Sequence, residues 1–280
     1  MTEVQRGFFE TYDAKRLFYQ FAAPTDFRGT LVICHGHGEH SGRYEKFFPH
    51  LARQGLAVAV YDFRGQGRSQ GCPAHVDSFE EYLEDLGAFH AFLRERHGVT
   101  REVTLLGHSL GGLTAIHWAL RHSASIRALI LSSPMLGLRV PRWLIDLNGL
   151  MNQWAPGFIY RNPVYPRYLT HDAEEVRKYK QDPLIARKIS VRLVSEMISY
   201  ARRIEQNASP RFECPVYVLM AGDDRVVDTA RTEAFFEKVC APGKEMTAFP
   251  GCYHEIFNER GQERVFELLE GILAKVYGGR

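Results

Sequence analysis

The sequence predicts an α/β fold, a mostly parallel central sheet with helices on both faces. Two observations carry the expectation. Short continuous apolar runs at residues 30–34, 56–61, 103–106, 128–131 and 215–220 have the length of strands buried on both sides, and they alternate with stretches whose apolar residues recur at helical spacing. Three of these runs then lead into His35-Gly36-His37-Gly38, Gly107-His108-Ser109-Leu110-Gly111 and Gly222-Asp223-Asp224. Open α/β sheets hold their ligands at such strand ends. A chain of 280 residues is long enough to bury a large core around them.

In chain order, residues 8–12 and 17–21 flank the turn-like Asp13-Ala14-Lys15-Arg16 and read as an antiparallel hairpin at the sheet edge. The strand at 30–34 is followed by a helix over 44–54, closed by Gly55, and by the strand at 56–61. Asp62-Phe63-Arg64-Gly65-Gln66-Gly67-Arg68-Ser69-Gln70-Gly71 is a rigid turn: its glycines miss the dinucleotide spacing and no helical pattern opens on them. Ser78-Phe79-Glu80-Glu81 has the capping-box order, and Tyr82, Leu83, Leu86, Phe89, Ala91 and Phe92 continue at near-helical spacing. The strand at 103–106, a helix from the Ser109 turn to about Ala119, and the strand at 128–131 complete this half.

Past Ser132-Ser133-Pro134 the alternation stops until about Pro210. The expected organisation is therefore a core of residues 1–134 and 211–280, interrupted by a helical cap over 135–210. Within the cap Trp143, Leu147, Leu150 and Trp154 share one helical face, a proline-rich stretch covers 156–166, and Ile189, Leu193, Met197 and Ile198 mark another helix. Such an insertion suits a lid over the carboxyl edge of the sheet, although an amphipathic helix also needs a face to pack on. The strand at 215–220, a helix over 229–239, a strand at 244–249 and a helix over 260–276 finish the chain.

The 35 basic and 33 acidic side chains nearly cancel, giving no electrostatic case for nucleic acid. Cys34, Cys72, Cys214, Cys240 and Cys252 are scattered, odd in number and without a C-x-x-C pair, which fits neither a disulfide framework nor a zinc cluster and suits a reducing, cytoplasmic compartment. No stretch has the apolar length of a signal peptide or a membrane span, so the expected protein is soluble, with any membrane contact peripheral.

The chemistry starts at Gly107-x-Ser109-x-Gly111, which puts a serine on a sharp turn between a buried strand and a helix. A serine hydroxyl becomes a useful nucleophile only when an imidazole takes its proton and an acid orients that imidazole. In the α/β-hydrolase arrangement these follow in the order serine, acid, histidine, at the ends of later strands. His171 and His254 follow Ser109 beyond its own helix and the segment just after it, and only His254 comes after a strand and a strand-terminal acid. Asp224 is chosen as the acid over its neighbour Asp223, while Asp228 suits a helix cap. The N–H groups of Leu110 and His37 are the expected oxyanion donors. This chemistry calls for no cofactor and no metal. A rival stands in the same early loop: His35-x-His37-x-Glu39-His40 resembles the H-x-H-x-D-H metal signature of the metallo-β-lactamase superfamily, with Glu in place of Asp.

With His35-Gly36-His37-Gly38-Glu39-His40-Ser41-Gly42-Arg43-Tyr44, Gly107-His108-Ser109-Leu110-Gly111-Gly112 and Tyr253-His254 in view, the chain resembles the monoacylglycerol lipase and lysophospholipase branch of the α/β-hydrolases over nearly its whole length. Asp62-x-Arg64-Gly65-x-Gly67-x-Ser69-x-Gly71 also looks like that branch, except that Gln66 stands where histidine is common. The resemblance implies that Glu39, Arg43 and Tyr179 line the alcohol end of the site, each with a plain packing or surface role as the alternative. It implies, too, that the cap gives an acyl chain an apolar route past Trp143, Leu147, Leu150 and Trp154. The expected activity is cleavage of a single-chain lipid ester, monoacylglycerol or lysophospholipid, through an acyl-enzyme. A general carboxylesterase, thioesterase or acyltransferase, a metal-dependent hydrolase, and a binding protein with a vestigial site are the alternatives.

Overall fold

The structure, a computed structural model, describes residues 4–278. Its main sheet has eight strands: β1 (Val4–Glu10), β2 (Arg16–Ala22), β3 (Thr30–Cys34), β4 (Ala57–Tyr61), β5 (Val103–His108), β6 (Ile126–Ser132), and then, beyond an insertion, β9 (Val216–Ala221) and β10 (Lys244–Phe249). The insertion carries a separate pair of three-residue strands, β7 (Ile159–Arg161) and β8 (Lys188–Ser190). Spatial order in the main sheet is β1-β2-β4-β3-β5-β6-β9-β10. The hairpin β1-β2 is antiparallel and β2 runs antiparallel to β4, while every other neighbouring pair is parallel.

Alternate residues of each strand feed two cores. Val32 and Cys34 face one, Leu31 and Ile33 the other. The first core packs α2 (Glu80–His97), α3 (Leu110–Arg121) and α7 (Thr229–Lys238) on one face of the sheet, through Phe89, Ile116 and Phe235 among others. The second packs α1 (Phe47–Arg53) and α8 (Glu263–Tyr277) on the opposite face, through Phe47, Leu51, Leu269 and Leu273. The expected capping box forms only in part: Glu81 Oε1 accepts the Ser78 N–H at 3.1 Å, but the Ser78 hydroxyl accepts the Glu80 N–H, at 3.2 Å, instead of that of Glu81.

The order β4-β3-β5 makes β3 the point where the chain changes direction across the sheet, so the loops leaving β3 and β5 diverge and open a crevice. Over that edge lies the insertion, with α4 (Arg142–Trp154), α5 (Ala173–Gln181) and α6 (Val191–Gln206). The strand pair β7-β8 and helix α5 were not anticipated. Each strand is too short to leave a pattern, and α5 is mainly charged, started by Asp172, whose carboxylate accepts the Glu174 N–H at 2.8 Å. The expected helix over 44–54 also begins later, at Phe47, after a separate turn of 3₁₀ helix at Ser41–Tyr44.

Candidate active site

Ser109 sits between the last residue of β5 and the first of α3, with φ 51° and ψ −117°. A side chain at such a backbone conformation costs about 1–3 kcal/mol, and the surroundings must hold it there. They do so through backbone bonds: the Ser109 N–H donates to Ser132 O at 3.0 Å, and its carbonyl accepts the N–H groups of Leu113 and Met135 at 3.1 and 3.0 Å. The flanking glycines are required by crowding. A Cβ on Gly107 would lie 2.4 Å from Gly111 O, and one on Gly111 would lie 2.0 Å from Cys34 O. Leu110, buried just past the turn, is the first residue of α3, so its N–H has no acceptor within the helix.

Asp224 lies in the turn after β9 and His254 in the loop after β10, and parallel pairing of these strands puts both at one edge. His254 Nδ1–H donates to Asp224 Oδ2 at 2.7 Å, and Asp224 Oδ1 accepts the N–H groups of Val226 and Val227 at 2.8 and 2.9 Å. Both side chains are buried. Burial alone would push the Asp224 carboxyl up, yet the adjacent imidazole and the hydrogen bonds hold it below the ordinary value. Burial alone would push His254 down, yet the Asp224 carboxylate, with Glu255 and Glu39 near it, holds His254 above an ordinary imidazole. Asp223 is exposed and bonded to neither, while Asp228 caps α7 by accepting the Ala230 N–H at 3.2 Å.

The loop after β3 enters the same space. Its potential metal ligands point apart: His35 Nδ1–H donates to Gly36 O at 2.7 Å and its Nε2 accepts the Phe63 N–H at 2.9 Å, His37 Nε2–H donates to Lys188 O at 3.1 Å, and His40 Nε2 lies 2.7 Å from Asp182. Glu39 turns the other way, with Oε1 3.3 Å from His108 Nε2. Among the described residues no three His, Cys, Asp or Glu side chains converge as a metal site would require. Burial pushes both His37 and His108 down to about 4, so each is neutral near pH 7.

Ser109, His37, Glu39, His108, His254, Glu255 and Tyr179 line one cavity of about 520 Å³. Its far wall is apolar and comes largely from the insertion: Leu144, Leu147, Met151, Phe158, Val194 and Met197. Of the four residues expected to form an acyl route, only Leu147 reaches this wall. Trp143, Leu150 and Trp154 lie outside it and are exposed (63%, 56% and 84%), because α4 turns the face of Leu144, Ile145, Asn148 and Met151 inward. Nor does Arg43 reach the cavity. Its guanidinium pairs with Glu255 and lies 5.1 Å over the Tyr179 ring. Glu255 was missed by sequence reasoning. Its only signal is its place directly after His254, and its pairing with Arg43 needs the fold to become visible.

Residues 25–261 match the family model described as serine aminopeptidase, S33. The phospholipase YtpA of Bacillus subtilis (strain 168) is 32% identical over 240 residues, covering 85% of this chain and 92% of that protein. A monoacylglycerol lipase of Mycolicibacterium smegmatis is 29% identical over 256 residues, covering 90% of each chain. The crystal structure of Paleococcus ferrophilus monoacylglycerol lipase is similar over 98% of this chain and 99% of that one, with a TM-score of 0.82 at 28% identity. Other relatives are longer: the chain spans 47% of the YnbC protein of Escherichia coli (strain K12) and 26% of an abhydrolase domain-containing protein of Dictyostelium discoideum. The fold is that of the α/β-hydrolases.

Proposed function

The chain belongs to the serine aminopeptidase S33 family of α/β-hydrolases, and from that premise we propose that it is a serine hydrolase of single-chain lipid esters, monoacylglycerol before lysophospholipid. One observation carries the reading: a serine held at positive φ shares a cavity wall with a histidine whose other nitrogen is bonded to a buried carboxylate. In this mechanism Ser109 Oγ attacks the ester carbonyl while His254 Nε2 takes its proton and returns it to the departing alcohol. Water, activated by the same nitrogen, then releases the fatty acid from the acyl-enzyme. Asp224 keeps the proton on Nδ1, and the N–H groups of Leu110 and His37 receive the oxyanion.

The cavity supports this substrate class. Its apolar wall suits an alkyl chain better than a peptide, and its volume of about 520 Å³ falls in the range of small-ligand sites. The relatives named as a monoacylglycerol lipase and a phospholipase support the same class. Residues 135–210 act as its cap, and the exposed Trp143, Leu150 and Trp154 of α4, with Arg142 at the start of the same helix, form a surface for peripheral contact with a membrane or micelle. No helix among the described residues is long and apolar enough to cross a membrane. A reducing, cytoplasmic setting is supported by five free cysteines.

The deciding experiment compares wild type with Ser109→Ala on monoacylglycerols, lysophospholipids, short p-nitrophenyl esters and an aminoacyl p-nitroanilide. Loss of roughly 10⁴- to 10⁶-fold in kcat is expected for Ser109→Ala on every ester. Undiminished turnover would refute the serine mechanism. A preference for the anilide or for short soluble esters would refute the lipid assignment and spare the triad.

A further inference from the structure

Gln66 is a buried amide in the turn after β4, a segment with no role in the mechanism above. Its Oε1 accepts the backbone N–H of Gly38 at 2.8 Å, with both ends of the bond buried. Only the oxygen of a carboxamide can accept, so this bond fixes which way the amide faces. Its Nε2 is buried and lies toward the Tyr82 hydroxyl without closing a full hydrogen bond to it. A side chain selected for packing alone would be apolar or bonded at both ends, because a buried unpaired donor is costly. The one bond it makes therefore needs a reason.

The reason lies in what Gly38 is attached to. The loop after β3 is tied to the turn after β4 at its beginning, by the Phe63 N–H to His35 Nε2 at 2.9 Å, and near its end, by the Ser41 N–H to Asp62 Oδ1 at 2.6 Å. Between those ties the Gln66 bond is the turn's hold on the segment containing His37. Gly38 stands at φ 79°, and a Cβ there would meet Tyr179 Oη at 3.0 Å and Ala186 O at 3.1 Å, so a bulkier residue cannot stiffen the loop in its place. The peptide must be oriented from the side.

We propose that Gln66 is a positioning residue for acyl transfer: by holding the Gly38 peptide it sets the direction of the adjacent His37 N–H toward the developing oxyanion. This rests on the serine-hydrolase reading. A donor aimed at an oxyanion matters in the transition state and little in the ground state, so its misalignment lowers kcat and leaves KM nearly unchanged.

The test uses the full chain and three readouts: kcat and KM on a p-nitrophenyl ester, the Kd of an alkyl boronic acid as transition-state analogue, and the thermal midpoint. Gln66→Met removes the acceptor, and Gln66→Glu keeps one. Gln66→Met is expected to lower kcat by about 10- to 100-fold, less than the loss of a whole oxyanion donor, with KM within about twofold and the boronate bound more weakly by a similar factor. Gln66→Glu should recover most of both losses. Normal kcat and boronate affinity in Gln66→Met, with or without a lowered midpoint, would overturn the proposal and make Gln66 purely structural, as would equal losses in the two variants. A wild-type protein that turns over no ester would overturn both this and the serine-hydrolase reading.

Discussion

In the proposed mechanism His254 must be neutral to accept a proton from Ser109, so the acid limb of the pH profile reports what surrounds its ring. Burial lowers its proton affinity, but the carboxylates of Asp224, Glu255 and Glu39 raise it by more. The limb in kcat/KM should therefore lie above the ordinary imidazole value of about 6.5. His108, whose ring centroid is 4.8 Å from that of His254, does not titrate there, because burial pushes it down to about 4. Glu255 is compensated by Arg43, which leaves Glu39 as the cleaner probe. Removing its negative charge in Glu39→Gln lowers the affinity of His254 for its proton and should move the acid limb toward lower pH. A kcat/KM profile on a water-soluble ester checks this, and a limb that stays put or moves up would break the electrostatic link. At this scale the proposed trio Ser109, Asp224 and His254 could be picked out because glycine spacing and chain order left few candidates, and the structure brings His254 and Asp224 within 2.7 Å of each other. Gln66 and Glu255 were not, since each acts on a partner 28 or 212 residues away that no local pattern announces.

Among the elements, α4 is the one whose orientation the sequence left ambiguous. Trp143, Leu147, Leu150 and Trp154 form an apolar stripe, and an apolar stripe normally marks the buried side. The fold turns most of it outward because the inner face is fixed by Asn148, whose Nδ2–H groups donate to Val191 O at 3.2 Å and Ser195 Oγ at 2.8 Å on α6. Buried strands such as β3, β5 and β9 were legible because apolar runs bounded by glycine admit few alternatives. The insertion was legible only in outline. Other parts of the insertion are bonded to the core: Ser190 N–H to Ala74 O at 2.9 Å, Glu255 N–H to Leu169 O at 2.8 Å, and Thr170 Oγ1–H to Asn258 O at 2.8 Å. The outer stripe of α4 is the surface proposed to meet lipid. Replacing Trp143, Leu150 and Trp154 together with serine should abolish most binding to phosphatidylglycerol-containing vesicles in a sedimentation assay. Turnover of a short soluble ester should change less than about threefold, since none of the three lines the cavity. Unchanged vesicle binding would refute the proposed contact surface.

Across the whole molecule, the reading of an α/β sheet with chemistry at its carboxyl edge rests on a few long-range ties, and the Arg43–Glu255 pair is the most informative of them. It joins the loop after β3 to the loop after β10, and the stacking of Arg43 on Tyr179 brings α5 of the insertion into the same contact. Both charged side chains are buried, at 9% and 4% exposure. Breaking a buried ion pair by removing one partner leaves the other charge without compensation and costs about 3–5 kcal/mol, whereas replacing both by apolar groups of similar size is often neutral. In Arg43→Met the Glu255 carboxylate keeps only the Asn258 amide, 2.8 Å away, as a bonded side chain. For a chain of 280 residues the single variant should melt roughly 5–9 °C below wild type in a calorimeter. The double variant Arg43→Met with Glu255→Leu should regain most of that loss. If the double variant melts as low as the single one, the stabilising element is the packing of the arginine over Tyr179 and not the charge pair. If the single variant melts within about 2 °C of wild type, well below the shift that a broken buried pair implies, the tie between the two loops contributes little to the fold.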